Sequence, residues 1–131
     1  VLQSGRTCRG AQLAYQTYGT LNADKSNVIL FMTPFGAHHT DIEWMVGPDH
    51  ALNPDKYFIV IPNLFGNGLS SSPSNAAPPA NGNRWPYFTI ADNVRIQRQM
   101  LQHVFGVEKL AMASGWSMGG LPLGRLVSRL C

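Results

Sequence analysis

Lys109-Leu110-Ala111-Met112-Ala113-Ser114-Gly115-Trp116-Ser117-Met118-Gly119-Gly120 carries the pattern that decides the fold. A short run of apolar and small residues, read as a strand over Lys109 to Ser114, leads straight into Gly115-x-Ser117-x-Gly119, with helix-compatible sequence after it. Strand, G-x-S-x-G and helix in that order hold a serine on a tight turn with its hydroxyl projected from the end of a sheet. The flanking glycines relieve crowding at such a turn, and Met118 to Gly120 offer backbone N–H groups at a helix start. In a chain with 13 glycines the five-residue pattern alone is a weak signal, and its place after a strand is what gives it meaning. Ser117 is therefore the candidate nucleophile, and the Met118 N–H the candidate first donor of an oxyanion hole.

Upstream, Val28-Ile29-Leu30-Phe31-Met32 and Tyr57-Phe58-Ile59-Val60-Ile61 are short continuous apolar runs bounded by Asn, Pro and Gly, the pattern of strands covered on both faces. Leu13, Tyr15 and Thr17 share one face of an extended segment over residues 11–19, which predicts a half-buried strand near a sheet edge. Residues 89–105 have a helical period through Ile90, Val94, Met100 or Leu101, and Val104. Thr89 can cap that helix, Asp92 suits its positive end, and Gly106 suits its stop. Strands alternating with helical segments predict an α/β fold with a mostly parallel sheet, in one domain over residues 1–131. Pro62 to Pro86 is crowded with Gly, Ser, Asn and Pro, and predicts a long surface loop that either borders a cleft or is simply solvated. Beyond the elbow, an amphipathic helix through Leu123, Leu126, Val127 and Leu130 is expected, with Pro122 in its first turn.

The second oxyanion donor is expected from the loop after an earlier strand, here Thr33-Pro34-Phe35-Gly36-Ala37-His38. Pro34 has no N–H, so the Phe35 N–H is the candidate. His38 and His39 are adjacent, and neither pairs with His50 or His103 at a spacing that puts two ligands on one helix face. They are expected to hydrogen-bond locally, with no metal site. Gly66-Asn67-Gly68-Leu69-Ser70-Ser71 lacks the third glycine and the following helix of a dinucleotide loop. Gly115 to Gly120 has phosphate-loop spacing, but Leu121-Pro122 stand where Lys and Ser/Thr are needed. No Asp, Glu or His follows Ser117, so a base and its carboxylate are expected from outside residues 1–131.

Bulk properties exclude several other classes. At 131 residues and 44% hydrophobic the chain can form a core, and its net charge of +3 is spread thinly, with no basic run or aromatic-basic alternation suited to nucleic acid. No apolar stretch approaches membrane-spanning length and no leader pattern opens the chain, so a cytoplasmic protein without membrane partners is expected. Cys8 and Cys131 have neither metal nor redox spacing.

From Leu13 to Gly120 the chain resembles the homoserine O-acetyltransferase family of the α/β-hydrolase superfamily. Leu13-Ala14-Tyr15-Gln16-Thr17-Tyr18-Gly19-Thr20-Leu21-Asn22, Gly36-Ala37-His38-His39, Asp92-Asn93-Val94-Arg95-Ile96-Gln97 and Gly115-Trp116-Ser117-Met118-Gly119-Gly120 carry the likeness. The resemblance implies an α/β-hydrolase fold, truncated here after the nucleophile elbow, with the lid and C-terminal part outside this chain. It implies Ser117 as the acyl-enzyme serine and Met118 as an oxyanion donor. Acetyl-CoA or another acyl-CoA is the implied cosubstrate, with no bound cofactor, and a small molecule bearing a hydroxyl is the acceptor. A homodimer at full length is a further expectation. The loop Gly66 to Pro73 replaces the Gly-Thr-Gly-Pro-like loop that the family has at this point, so the acceptor need not be homoserine. Residues 1–131 alone are expected to be inactive. An esterase of the same fold and a non-catalytic interaction fragment are the alternatives.

Overall fold

The computed structural model describes residues 1–121 and 123. Four strands, β1 (Tyr15–Tyr18), β2 (Val28–Met32), β3 (Phe58–Pro62) and β4 (Met112–Gly115), form a sheet in the order β1-β3-β2-β4. β2 runs parallel to β3 and β4, and β1 is the antiparallel edge beside β3. Helix α1 (Ile90–Phe105) carries the chain from β3 across β2 to β4.

β2 and β3 are buried along their whole length, because each face of the sheet has its own cover. Val28, Leu30, Met32, Phe58 and Val60 pack with Val94, Met100 and Leu101 of α1 and with Val107. The alternate residues Ile29, Phe31, Ile59 and Ile61 pack with Ile42 and Leu52 from the β2–β3 connection. Each such aliphatic side chain contributes about 1.5–3 kcal/mol on burial, which explains two strands without a polar residue on either face. The connections after β2 and β3 therefore cover opposite faces and leave the carboxyl ends of β2 and β4 side by side, with Met32 opposite Gly115. In open α/β sheets that edge is where ligands bind.

α1 begins and ends on local chemistry. Thr89 Oγ1 accepts from the Asp92 N–H at 3.1 Å and the Asp92 carboxylate accepts from the Thr89 N–H at 3.2 Å, a reciprocal capping box. Gly106 turns left-handed, at φ 64°, and its N–H closes onto Gln102 O at 3.0 Å.

The structure departs from the sequence reading in several places, beginning with the first strand, which is Tyr15–Tyr18 within the extended segment expected over residues 11–19. The second long strand is Phe58–Pro62, one residue later than the apolar run, and the last is Met112–Gly115 rather than Lys109 to Ser114. Val104 is 56% exposed, because the buried stripe of α1 continues from Leu101 to Phe105 one turn on. Phe105 meets Phe58 and Tyr15 edge-on, at 5.2 and 5.7 Å between ring centroids. Tyr15, expected on the half-buried face of its strand, is nevertheless 36% exposed, while Gln97, a polar residue, is fully buried. The expected helix through Leu126 and Leu130 falls mostly outside the described residues, and among those described no helix is long and apolar enough to cross a membrane.

Candidate active site

β4 ends at Gly115, Trp116 is extended, and Ser117 turns left-handed with φ 53° at the start of a 3₁₀ turn, Ser117–Gly119. Only two non-glycine residues of the described chain have positive φ, Ser117 and Lys25. Such a conformation costs a residue with a Cβ roughly 1–2 kcal/mol, so the surroundings must impose it. They do so through close backbone contact. A Cβ on Gly115 would stand 2.7 Å from Gly119 O and 2.9 Å from Met32 O, and one on Gly119 would strike Met32 O and lie 2.7 Å from Thr33 O. The turn is thus pressed onto the carboxyl end of β2, and the two motif glycines are what lets it approach. Ser117 itself is exposed, and the Trp116 ring, beside it, rests edge-on against Phe31 at 5.5 Å.

The backbone around Ser117 leaves donors free. Gly119 N–H donates to Trp116 O and Gly120 N–H to Ser117 O, at 2.9 and 3.0 Å, while the Met118 N–H has no acceptor among the described residues. The loop leaving β2 is a type II turn, with Ala37 N–H donating to Pro34 O at 3.1 Å and Gly36 at φ 72°. The Phe35 N–H, at the second position of that turn, likewise has no acceptor among the described residues. Both unpaired donors leave the ends of two strands that pair directly.

Two of the four histidines are held by hydrogen bonds. His38 Nε2 lies 2.7 Å from Asn67 O, and its N–H donates to Asp41 Oδ2 at 2.8 Å. The His39 N–H donates to Asn63 Oδ1 at 3.0 Å, and its Nδ1 faces Asn63 Nδ2 at 3.1 Å. His50 lies against Gly47, and His103 is in the last turn of α1, where the chain heads for the start of β4. No three His, Cys, Asp or Glu residues among those described could share a metal ion.

Sequence reasoning missed Asn63, a fully buried side chain at the hub of the loops beside the site. Its N–H and Nδ2 both donate to Ala14 O, its Oδ1 accepts from His39 and Asn67, and its own carbonyl accepts from Ser70 Oγ at 2.6 Å. The available signal was an Asn directly after a buried strand, where unpaired backbone groups need partners. The Pro62 to Pro86 segment is consequently no loose excursion: Ser70 and Ser72 are buried, and Ser71 pairs with Gln12 in both directions. Asp92 is similarly engaged. Burial alone would raise its pKa, but the Thr89 and Gln3 N–H groups, Arg95 and the Thr89 hydroxyl together hold it below the ordinary carboxylate range.

No family model matches the chain. It is 44% identical over 120 residues to a probable esterase of Corynebacterium glutamicum, covering 90% of this chain and 34% of that protein. Homoserine O-acetyltransferase of Thermobifida fusca is 38% identical over 136 residues, covering 92% of this chain and 36% of that protein. A solved acetylester hydrolase from Corynebacterium glutamicum superposes with a TM-score of 0.91 at 39% identity, over 98% of this chain and 39% of its own. The chain spans about a third of the length of the curated relatives it matches. The fold is the α/β-hydrolase fold.

Proposed function

We propose, for an α/β-hydrolase-fold chain similar to homoserine O-acyltransferases and acetyl esterases alike, that the whole protein is a serine acyltransferase of the homoserine O-acetyltransferase kind. In this reading Ser117 Oγ attacks the carbonyl of an acyl-CoA, and the thiol leaves as CoA. The resulting ester on Ser117 is then attacked by the hydroxyl of a small acceptor, which restores the serine. The Met118 and Phe35 N–H groups hold the negative charge that develops on the carbonyl oxygen in both steps. Proton transfer is assigned to a histidine outside residues 1–131, because no histidine follows Ser117 here and His38 and His39 already bond to Asn67 and Asn63. The observation that supports the serine chemistry is the left-handed Ser117, set between two glycines that admit no side chain and followed by an N–H with no acceptor among the described residues.

Hydrolysis is the second reading, favoured by the 44% identity to a named esterase and by the superposition on an acetylester hydrolase. The first half-reaction is then the same, with a simple ester as donor, and water takes the place of the acceptor. Incubating full-length protein with acetyl-CoA, with and without a panel of hydroxy amino acids, separates the two. Acceptor-dependent release of CoA supports transfer. Rapid cleavage of ethyl acetate, with no CoA release under any condition, moves the assignment to hydrolysis.

A further inference from the structure

Residues 1–23 and 56–91 pack against each other through β1 and β3 and through the Gln12–Ser71 pairing, and neither segment contains an Asp or a Glu. All seven carboxylate side chains stand elsewhere in the chain. Between these two segments Arg6 and Arg84 face one cleft of about 380 Å³, which Pro79, Asn83 and Pro86 also line. Arg6 Nη2 approaches Arg84 O at 3.5 Å, so one guanidinium is held to the backbone that carries the other. Arg95–Asp92 is the one ion pair among the described residues, and neither Arg6 nor Arg84 has a protein counter-ion there. Arg9 lines the neighbouring cleft and adds to the local positive potential.

The wall that carries Arg84 is fixed from behind. Trp85, between Arg84 and Pro86, stacks on Phe88 at 5.0 Å, and Phe88 stacks on Phe65 at 4.4 Å. Two planar guanidiniums and the Asn83 amide form a donor set suited to phosphate oxygens, no carboxylate lines the cleft, and the nearby Asp92, which accepts from the Gln3 N–H, is buried and paired with Arg95. The two prolines supply rigid apolar surface on which the flat face of a base can lie. The loop that holds them leaves the carboxyl end of β3, the same end of the sheet as Ser117.

We propose that the Arg6–Arg84 cleft binds the phosphates of a nucleotide. Resting on the transfer reading above, it holds the phosphorylated nucleotide end of the acyl-CoA donor, whose thioester extends to Ser117.

Calorimetric titration of the protein with adenosine 3′,5′-bisphosphate, which has the phosphates and base but no thioester, tests the site without catalysis. Arg6→Gln and Arg84→Gln should each weaken binding by about tenfold, with Arg84→Lys intermediate. Lys109→Gln, which removes an exposed charge just before β4, should change it less than about twofold. Melting curves matching the parent confirm that the variants are folded. No bisphosphate binding, or binding that both glutamine variants leave intact, overturns the proposal. Inorganic pyrophosphate binding as tightly as the bisphosphate would overturn the nucleotide assignment. Arginine-dependent bisphosphate binding in a protein that never releases CoA from acetyl-CoA supports the cleft and rejects the transfer reading. CoA release with a KM indifferent to Arg84→Gln retains the transfer reading and rejects the cleft.

Discussion

Gly119 rests on the carbonyl of Thr33, so closely that a Cβ on the glycine would lie 2.7 Å from that oxygen. The contact joins the turn after β4 to the loop after β2. It sets Met118 N–H and Phe35 N–H, the two donors without an acceptor among the described residues, on loops that cannot shift independently. The second glycine of the motif is therefore a spacer between two halves of a site as well as a turn residue.

Gly119→Ala should be damaging for that reason alone. The new methyl meets backbone carbonyls rather than a movable side chain, and overpacking of this kind costs about 1–3 kcal/mol. Urea denaturation should show a lower midpoint with unchanged slope, and fluorophosphonate labelling of Ser117 in the full-length protein should slow. An alanine variant with the parent's midpoint and labelling rate would mean that the turn has room to move.

Replacing Ser117 separates strain from chemistry. Ser117→Gly removes a side chain from a left-handed position and should keep or raise stability by up to about 1 kcal/mol. Ser117→Ala keeps the strained position occupied and should gain nothing. In the full-length protein both should abolish fluorophosphonate labelling, read by mass spectrometry of the peptide around residue 117. A label that persists in Ser117→Ala would deprive the serine of its role.

The contrast between what was legible and what was not follows the range of the forces involved. β2, β3 and α1 could be read from sequence because their signals are local: unbroken apolar runs, and a Thr89 to Asp92 box closed by Gly106. The elbow was legible because a single backbone conformation demands glycine on both sides of Ser117. Asn63 was not, since its partners Ala14, His39, Asn67 and Ser70 come from three separate segments that only the folded sheet brings together. Val104 misled because a helical stripe of several turns can pass through either Val104 or Phe105, and the choice is made by Phe58 and Tyr15 across the sheet edge. The clustering of Arg6 with Arg84 is likewise tertiary.

Asp92 gives the fold a pH dependence of predictable sign. Its carboxyl is held below its unfolded pKa, so the stabilisation is complete above the unfolded value, about 4, and is lost as pH falls through the folded value. Asp92→Asn should cost about 1–2 kcal/mol at pH 7, through the weakened capping box and the lost pairing with Arg95. The difference between variant and parent should shrink below about pH 4. Denaturation midpoints across that range check it, and a gap that widened on acidification would contradict the assignment.

Asn63→Ala should loosen two loops at once. The substitution leaves the half-buried His39 N–H without its acceptor and the Asn67 amide with Ala37 O but not Asn63, at about 1–3 kcal/mol where water cannot replace the partner, while Ala14 O keeps the backbone N–H of residue 63. Hydrogen exchange should accelerate at the His39 N–H and in residues 66–72 while the amides of β2 remain slow. Uniformly unchanged exchange would show that the network is redundant.

Phe35 offers a test of the oxyanion hole that leaves the fold in place. It occupies the second position of a type II turn, where proline's fixed φ is well accommodated, and its N–H is unpaired among the described residues. Phe35→Pro therefore removes the donor without disturbing the turn, whereas Phe35→Ala removes the exposed ring and keeps the donor. If this N–H holds the developing oxyanion, Phe35→Pro in the full-length protein should lower kcat by about 10²–10³ with KM little changed. Phe35→Ala should retain most of kcat and alter KM if the ring touches the acyl group. Proline and alanine variants with equal kcat would place the second donor elsewhere on the loop, and the comparison holds for thioester and simple-ester donors alike because both pass through the same tetrahedral oxyanion.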